Sequence, residues 1–309
     1  MTRKAPPDLQ WANNRTASLV LEAMRARYWN DDQFQAIWRA ADLDGVARVG
    51  DFGAGAGGTL VQWRAVLGDE AALTLLDREP KLLDRAKALA EALGMGGITR
   101  MQVSDVLAPN LPEQSLDCAF CQTLLMHLDD PAAALDAMTA RVRPGGVVMA
   151  VEPLLVTAPE TLQMLPPAEA ADLLAFWTRI RDGRRARGGG DNTIGGRLPT
   201  LFAAAGLEVE QVRLVDRLAW PGSVQELRDG LAARNLWREE FKADYLAASG
   251  TADEFEKGWE RARQIDEDLL ASQGSTVAPN WLGVLPLVAV VGRRPLQNKV
   301  TQPRGERLG

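Results

Sequence analysis

The chain has 309 residues, 46% hydrophobic and 25% charged, the proportions of a folded protein able to form one α/β domain with insertions or two ordinary domains. A net charge of −6 argues against nonspecific nucleic-acid binding, which needs a positive field along the phosphates. With His127 as the single histidine, Ser-His-Asp and Cys-His chemistry has one place to run through, and most hydrolase templates are excluded.

The two ends, 1 to about 14 and 296–309, lack periodicity and are expected to be loose. The opening residues show no basic segment leading into a long apolar run. The longest late apolar stretch, Val284 to Gly292, is under half of the roughly 20 residues a membrane helix needs, so a soluble, cytoplasmic protein without membrane contact is expected. Leu19, Leu21, Met24 and Tyr28, then Phe34, Ile37 and Trp38, recur at helical intervals and predict two helices parted at Asn30-Asp31-Asp32.

From Val46 a strand-helix alternation begins. Val46 to Phe52 reads as a strand, and a helix follows from the glycines to Gly68. The second strand ends at Asp77, and its helix starts at Pro80, where a missing N–H is tolerated, and stops at Gly94. Residues 98–103 and 116–121 are the third and fourth strands. Asp130-Pro131 caps a helix to Arg141, and the turn Arg143-Pro144-Gly145-Gly146 leads into a fifth strand ending at Glu152. The order implies a parallel sheet covered on both faces.

Beyond Glu152 the rhythm changes. Residues 158–190 read as helical and then glycine-rich, 198–205 as a helix, 207–215 as a strand, 223–272 as mostly helical and 284–291 as the last strand. The non-core segments read as one cap over the carboxyl edge of the sheet.

Cys118 and Cys121 have the C-x-x-C spacing of a redox or metal site, but they lie in a strand, where residues three apart point to opposite faces. No second cysteine pair accompanies them, and no metal is expected.

The loop Asp51-Phe52-Gly53-Ala54-Gly55-Ala56-Gly57 follows the first strand. Glycines there let the backbone approach a nucleotide closely. Gly53, Gly55 and Gly58 also fit the dinucleotide G-x-G-x-x-G, so an NAD-dependent oxidoreductase is the rival reading. Three features tilt the balance. Asp51 stands where a dinucleotide loop prefers a small or apolar residue. Ser104-Asp105 and Arg143-Pro144-Gly145-Gly146 follow in order. Neither Tyr28 nor Tyr245 has a lysine four residues on, so Tyr-x-x-x-Lys is absent.

On these residues, residues 46–152 resemble the class I S-adenosylmethionine-dependent methyltransferases of small-molecule type. The resemblance implies a Rossmann-like, seven-stranded, mostly parallel sheet with helices on both faces and a mainly helical cap. It divides the chain into an N-terminal cap segment (1–42), a cofactor-binding core (43–157), a cap insertion (158–195), a core helix and strand (196–222), a second cap insertion (223–280), the last core strand (281–295) and a tail (296–309). The implied cofactor is S-adenosylmethionine, released as S-adenosylhomocysteine, and a binding protein without catalysis is a further alternative.

Asp77 is expected to accept from the ribose hydroxyls, the alternative being a helix cap, and Arg78 to lie along the adenine. Asp105 and the Val106 N–H are expected at the adenine, with Ser104 beside them, and Gln122 at the methionine part. Asp51 is expected to orient the loop of Gly53, Ala54, Gly55 and Gly57 or to reach the cofactor's amino group through water, and Tyr28 to close over it. His127 is the candidate general base, although similar methyltransferases often carry a histidine there without using it.

Glu152, Trp177, Arg181 and Asn192 are expected to face a small-molecule acceptor, whose methylated atom, O, N or C, is left open. Eight of nine tryptophans lie outside the core elements, which suggests an apolar or aromatic acceptor or simply a cap core of their own. Five arginines between Arg179 and Arg187 suit an anionic substrate or a solvated loop. No nucleic-acid partner is expected, and a homodimer is compatible with the sequence.

Overall fold

A computed structural model describes residues 30–155, 165–215, 224–225, 228–229, 233–272 and 286–296. Seven strands form one sheet: β1 (Arg48–Phe52), β2 (Ala72–Asp77), β3 (Thr99–Val103), β4 (Leu116–Gln122), β5 (Val142–Pro153), β6 (Glu208–Val215) and β7 (Leu287–Arg293). Their order is β3-β2-β1-β4-β5-β7-β6, and β7 alone runs antiparallel to its neighbours β5 and β6. The expected mostly parallel seven-stranded sheet is the one observed. The sharp reversal lies between β1 and β4, so the carboxyl ends of β1, β2 and β4 border the crevice where α/β sheets bind ligands.

The helices of the core are α1 (Asp31–Ala40), α2 (Leu60–Val66), α3 (Pro80–Ala92), α4 (Pro131–Arg141) and α6 (Leu198–Ala204). The cap supplies α5 (Pro167–Ala186), α7 (Arg238–Ala247) and α8 (Ala252–Ala271). Local chemistry sets the boundaries. Asn30 accepts from the Gln33 N–H and begins α1, Asp130 does the same for α4 through Ala133, and Thr251 with Glu254 closes a capping box on α8.

Three apolar clusters follow. One sheet face packs on α1, α2 and α3 through Phe34, Trp38, Trp63 and Leu83, the other on α4 and α6 through Leu135, Met138 and Phe202. The third cluster, Leu173, Phe176, Trp177, Ile180, Tyr245, Phe255 and Trp259, belongs to the cap. α1 thus departs from its expected place in the cap. Phe34 and Trp38 meet Trp63 edge-on at 5.2 and 5.5 Å, and Trp63 meets Phe120 of β4, so this helix completes the sheet's own core. Cys118 lies in the first cluster and Cys121 in the second, on opposite faces of β4, and burial raises both thiols above their ordinary pKa.

At Arg143-Pro144-Gly145-Gly146 the structure differs from the expected turn. The strand runs through it, and the extra length appears as a register shift between Leu116 and Cys118. Gly145 takes φ +77° there. Arg143 and Arg48 clamp Asp117, at 2.6 and 3.1 Å. Burial works against its charge, yet the two guanidinium hydrogen bonds hold its pKa down to about 2.

Candidate cofactor and acceptor site

The glycine loop is built by its backbone. Gly53, Gly55 and Gly57 all have positive φ, at 70°, 54° and 82°, a region that favours glycine. A Cβ on Gly57 would press on Ala86 of α3, and one on Gly53 would lie 2.7 Å from Leu124. At Gly55 such a carbon would meet nothing within 4 Å, so the middle of the loop faces open space while its two ends are packed. The Gly53 and Ala54 N–H groups are tied to the Leu76 carbonyl at 2.8 and 3.1 Å.

Asp77, at the end of β2, accepts from the Gly55 N–H at 2.8 Å through one oxygen and from the Glu79 N–H at 2.9 Å through the other. Its carboxylate is therefore aimed at the middle of the loop. Glu79, and not Asp77, occupies the N-cap position of α3. Arg78 beside it is exposed.

Asp51 sits behind the loop. It is 1% exposed, and its Oδ2 accepts from the Thr59 hydroxyl at 2.5 Å and the Trp63 indole at 2.8 Å, pinning the start of α2 to β1. This position suits the loop-orienting role of the two expected for it.

After β3, Asp105 accepts from the Leu107 N–H at 2.9 Å, Ser104 Oγ accepts from the Asn110 N–H, and Val106 is half-buried against the core. Sequence reasoning passed over Val103 and Leu107, which are 55% and 49% exposed beside this turn and offer apolar surface next to Asp105. Their signal in the sequence was slight, since an isolated exposed valine or leucine is ordinary.

Beyond β4 the chain turns sharply. Gln122 is buried, and the next residue, Thr123, is held at φ +48°, strained for a β-branched side chain. Glu152 secures that turn. It is 0% exposed, and its two oxygens accept from the N–H groups of Leu124 (2.9 Å), Leu125 (2.8 Å) and Met126 (3.1 Å). Burial pushes its pKa up to about 7, and the three backbone bonds work against the rise.

Glu152 was expected to face the acceptor. Instead its carboxylate lies beneath the turn, and through Leu124, packed on Gly53, it links the β4 turn to the glycine loop. No pattern in the sequence announces a carboxylate whose partners are backbone N–H groups 26 to 28 residues earlier.

His127 closes the same turn in a 3-10 segment, Leu125–His127, and is exposed. Its Nδ1 lies 3.3 Å from Arg184 Nη2 of α5, so the cap meets the carboxyl edge there. Gly190 packs on the Met126 carbonyl, and Asp191 N–H donates to that carbonyl at 2.9 Å.

Trp177 is 8% exposed in the cap core, edge-on to Phe176, Phe241 and Trp259. The structure places it in the cap's own core, the second of the two readings of the tryptophans. Arg181 and Asn192 are half-buried where α5 and the following loop cross the end of β5. The Asn192 carbonyl accepts from the Leu155 N–H. Tyr28, Trp11, Trp29, Trp220 and Trp281 lie outside the described residues. Among the described residues no cluster of His, Cys, Asp and Glu could hold a metal, and no helix is long and apolar enough to cross a membrane.

The β3-β2-β1-β4-β5-β7-β6 order, with a glycine loop after β1 and a carboxylate closing β2, defines the class I methyltransferase fold. An antiparallel strand between β5 and β6 separates it from the all-parallel 3-2-1-4-5-6 dinucleotide sheet. Residues 50–150, about a third of the chain, match the family model described as "Methyltransferase domain", so this part of the chain is a methyltransferase domain with the class I fold.

Over 100 residues, 32% of this chain, it is 36% identical to a ubiquinone biosynthesis O-methyltransferase from Xanthomonas euvesicatoria, and spans 40% of that protein's length. Among solved structures, YcgJ from Bacillus subtilis is similar at a TM-score of 0.52 and 16% identity, covering 86% of this chain and 99% of its own. A Bacillus halodurans C-125 protein, provisionally named a methyltransferase, is similar at 0.52 and 13%, covering 85% and 99%. The 4+2 cyclase SpnF is similar at 0.51 and 14%, covering 93% and 94%. These likenesses establish the fold, and SpnF shows that the fold alone does not set the reaction.

Proposed function

We propose that this protein transfers the methyl group of S-adenosylmethionine to a small organic acceptor. The observation that carries the reading is the Asp77 carboxylate held against the Gly55 N–H at an open position of the glycine loop. The site fits that cofactor. The cleared space at Gly55 admits a nucleoside, and Asp77 offers acceptor lone pairs to the ribose hydroxyls. Ser104, Asp105 and Val106, flanked by exposed Val103 and Leu107, suit the adenine, with Arg78 alongside. Gln122 and the turn fixed by Glu152 border the methionine end. Asp51 sets the loop from behind through Thr59 and Trp63.

The bound sulfonium supplies an already activated methyl group, so the task left to the chain is positioning and exclusion of water. The turn at 123–127 and the loop at 188–193 fix where the acceptor stands relative to the glycine loop. His127, exposed at the end of that turn with its Nδ1 3.3 Å from Arg184 Nη2, is the candidate general base.

The test is titration of the full chain with S-adenosylhomocysteine. Asp77→Ala is expected to weaken binding by about 100-fold, the loss of two hydrogen bonds to a charged group, and to lower the melting temperature modestly because the Gly55 and Glu79 N–H groups lose their acceptor. Equal affinity in the two proteins would refute the assignment of Asp77.

A further inference from the structure

We propose that the acceptor carries an oxyanion, a carboxylate or a phosphate, which pairs with Arg181 where α5 crosses the carboxyl edge of the sheet. The inference rests on the methyltransferase reading and adds the class of substrate to it.

Five arginines lie between Arg179 and Arg187, and four of them have carboxylate partners. Arg179 pairs with Glu254 at 3.4 Å, Arg184 with Glu240 at 3.6 Å, Arg185 with Asp191 at 2.7 Å and Asp182 at 3.0 Å, and Arg187 with Asp244. Arg181 has no carboxylate within ion-pair distance among the described residues. Its Nη2 donates to the Thr178 hydroxyl at 2.8 Å, a group without charge. The acidic groups whose field reaches it, Asp182 and Asp191, are both bound to Arg185, and Asp191 also to Arg197 at 3.1 Å.

Arg181 is nonetheless half-buried, and burial together with the like charge of Arg185 lowers its pKa. A guanidinium taken partly out of water beside another cation is unfavourable until an anion joins it. An oxyanion can accept from its planar fork with two parallel bonds.

The place is suited to a reacting ligand. Arg181 stands one helical turn from Arg185, and Arg185 reaches Asp191 and Thr193 in the loop laid along the end of β5. In that loop Gly195 leaves no room for a Cβ against the carbonyls of Glu152 and Pro153. One further buried polar atom, Asn192 Oδ1 in the same loop, lacks a protein partner. A cation without a carboxylate and an amide oxygen without a donor thus stand on α5 and on the loop that follows it, the two segments that meet the turn after β4 through Arg184 and Asp191.

The experiment is calorimetric titration of the full chain, with and without saturating S-adenosylhomocysteine, using benzoate, phenyl phosphate and the neutral benzamide as probes. One or both anions are expected to bind saturably, and benzamide more weakly by about tenfold or more. Arg181→Gln is expected to lose that preference while S-adenosylhomocysteine affinity and melting temperature are retained, and Arg181→Lys to keep part of it. Which anion binds distinguishes carboxylate from phosphate. Benzamide binding as well as the anions, no binding of either anion, or undiminished anion affinity in Arg181→Gln would each overturn the proposal. The comparison of probes on the wild-type chain needs no variant. Failure of the methyltransferase reading shows separately, as absence of S-adenosylhomocysteine binding.

Discussion

Replacing Glu152 by glutamine separates its charge from its shape. The carboxyl is fully buried, and its pKa stands at about 7 against an ordinary 4.5. A group that keeps its proton to higher pH when folded than when unfolded makes the folded state bind more protons between those values. Wild-type stability therefore falls as pH rises from 4.5 to 7 and levels off on either side. The interval corresponds to about 3 kcal/mol. Glutamine has no such titration. Its amide group faces a backbone N–H where a carboxylate oxygen accepted, leaving at least one donor unsatisfied at a cost of about 1–3 kcal/mol at every pH. Urea unfolding of both proteins at steps from about pH 4 to about pH 8 measures the difference directly. The wild-type advantage is expected to shrink by about 3 kcal/mol across the series and to reverse near the alkaline end. A difference constant to within about 0.5 kcal/mol would refute the account of Glu152 as a buried, reluctantly ionised anchor of the β4 turn.

Asp51→Ala removes the acceptor of both the Thr59 hydroxyl and the Trp63 indole inside the core, and is expected to cost about 2–4 kcal/mol and to weaken S-adenosylhomocysteine binding by loosening the glycine loop. Thermal denaturation and ligand titration read the two effects, and an unchanged melting temperature would count against them. Trp177→Ala empties the centre of the cap cluster and is expected to cost about 3–5 kcal/mol in cap stability. Limited proteolysis should then cut α5 to α8 before the sheet, with S-adenosylhomocysteine affinity preserved. A cap as resistant as the wild type's would return Trp177 to the role of an acceptor contact.

The elements through β5 were legible because their signals are local. Alternating apolar runs, Pro80 and Pro131 at helix starts, Asp130 at a cap, the break at Asn30-Asp31-Asp32 and the glycines after β1 act within a few residues, and among the described residues the helices and strands formed within a few residues of where they predict, while the helix expected over Leu19 to Tyr28 lies outside the described residues. The placement of α1 was not legible. An amphipathic helix shows which of its faces is apolar but not which surface that face will meet, and Trp38 found Trp63 rather than the cap.

The glycine loop and Asp77 could be named from the sequence by spacing alone, since a turn, a close backbone approach and a carboxylate at the next strand end are set by chain geometry. The role of Glu152 was decided only by tertiary structure, because its partners are main-chain N–H groups on a neighbouring strand's turn, and main-chain groups are identical in every sequence. The same holds for Arg181. The text shows five arginines alike, and only the fold, by giving carboxylates to four and half-burying the fifth without one among the described residues, makes that residue different from the rest.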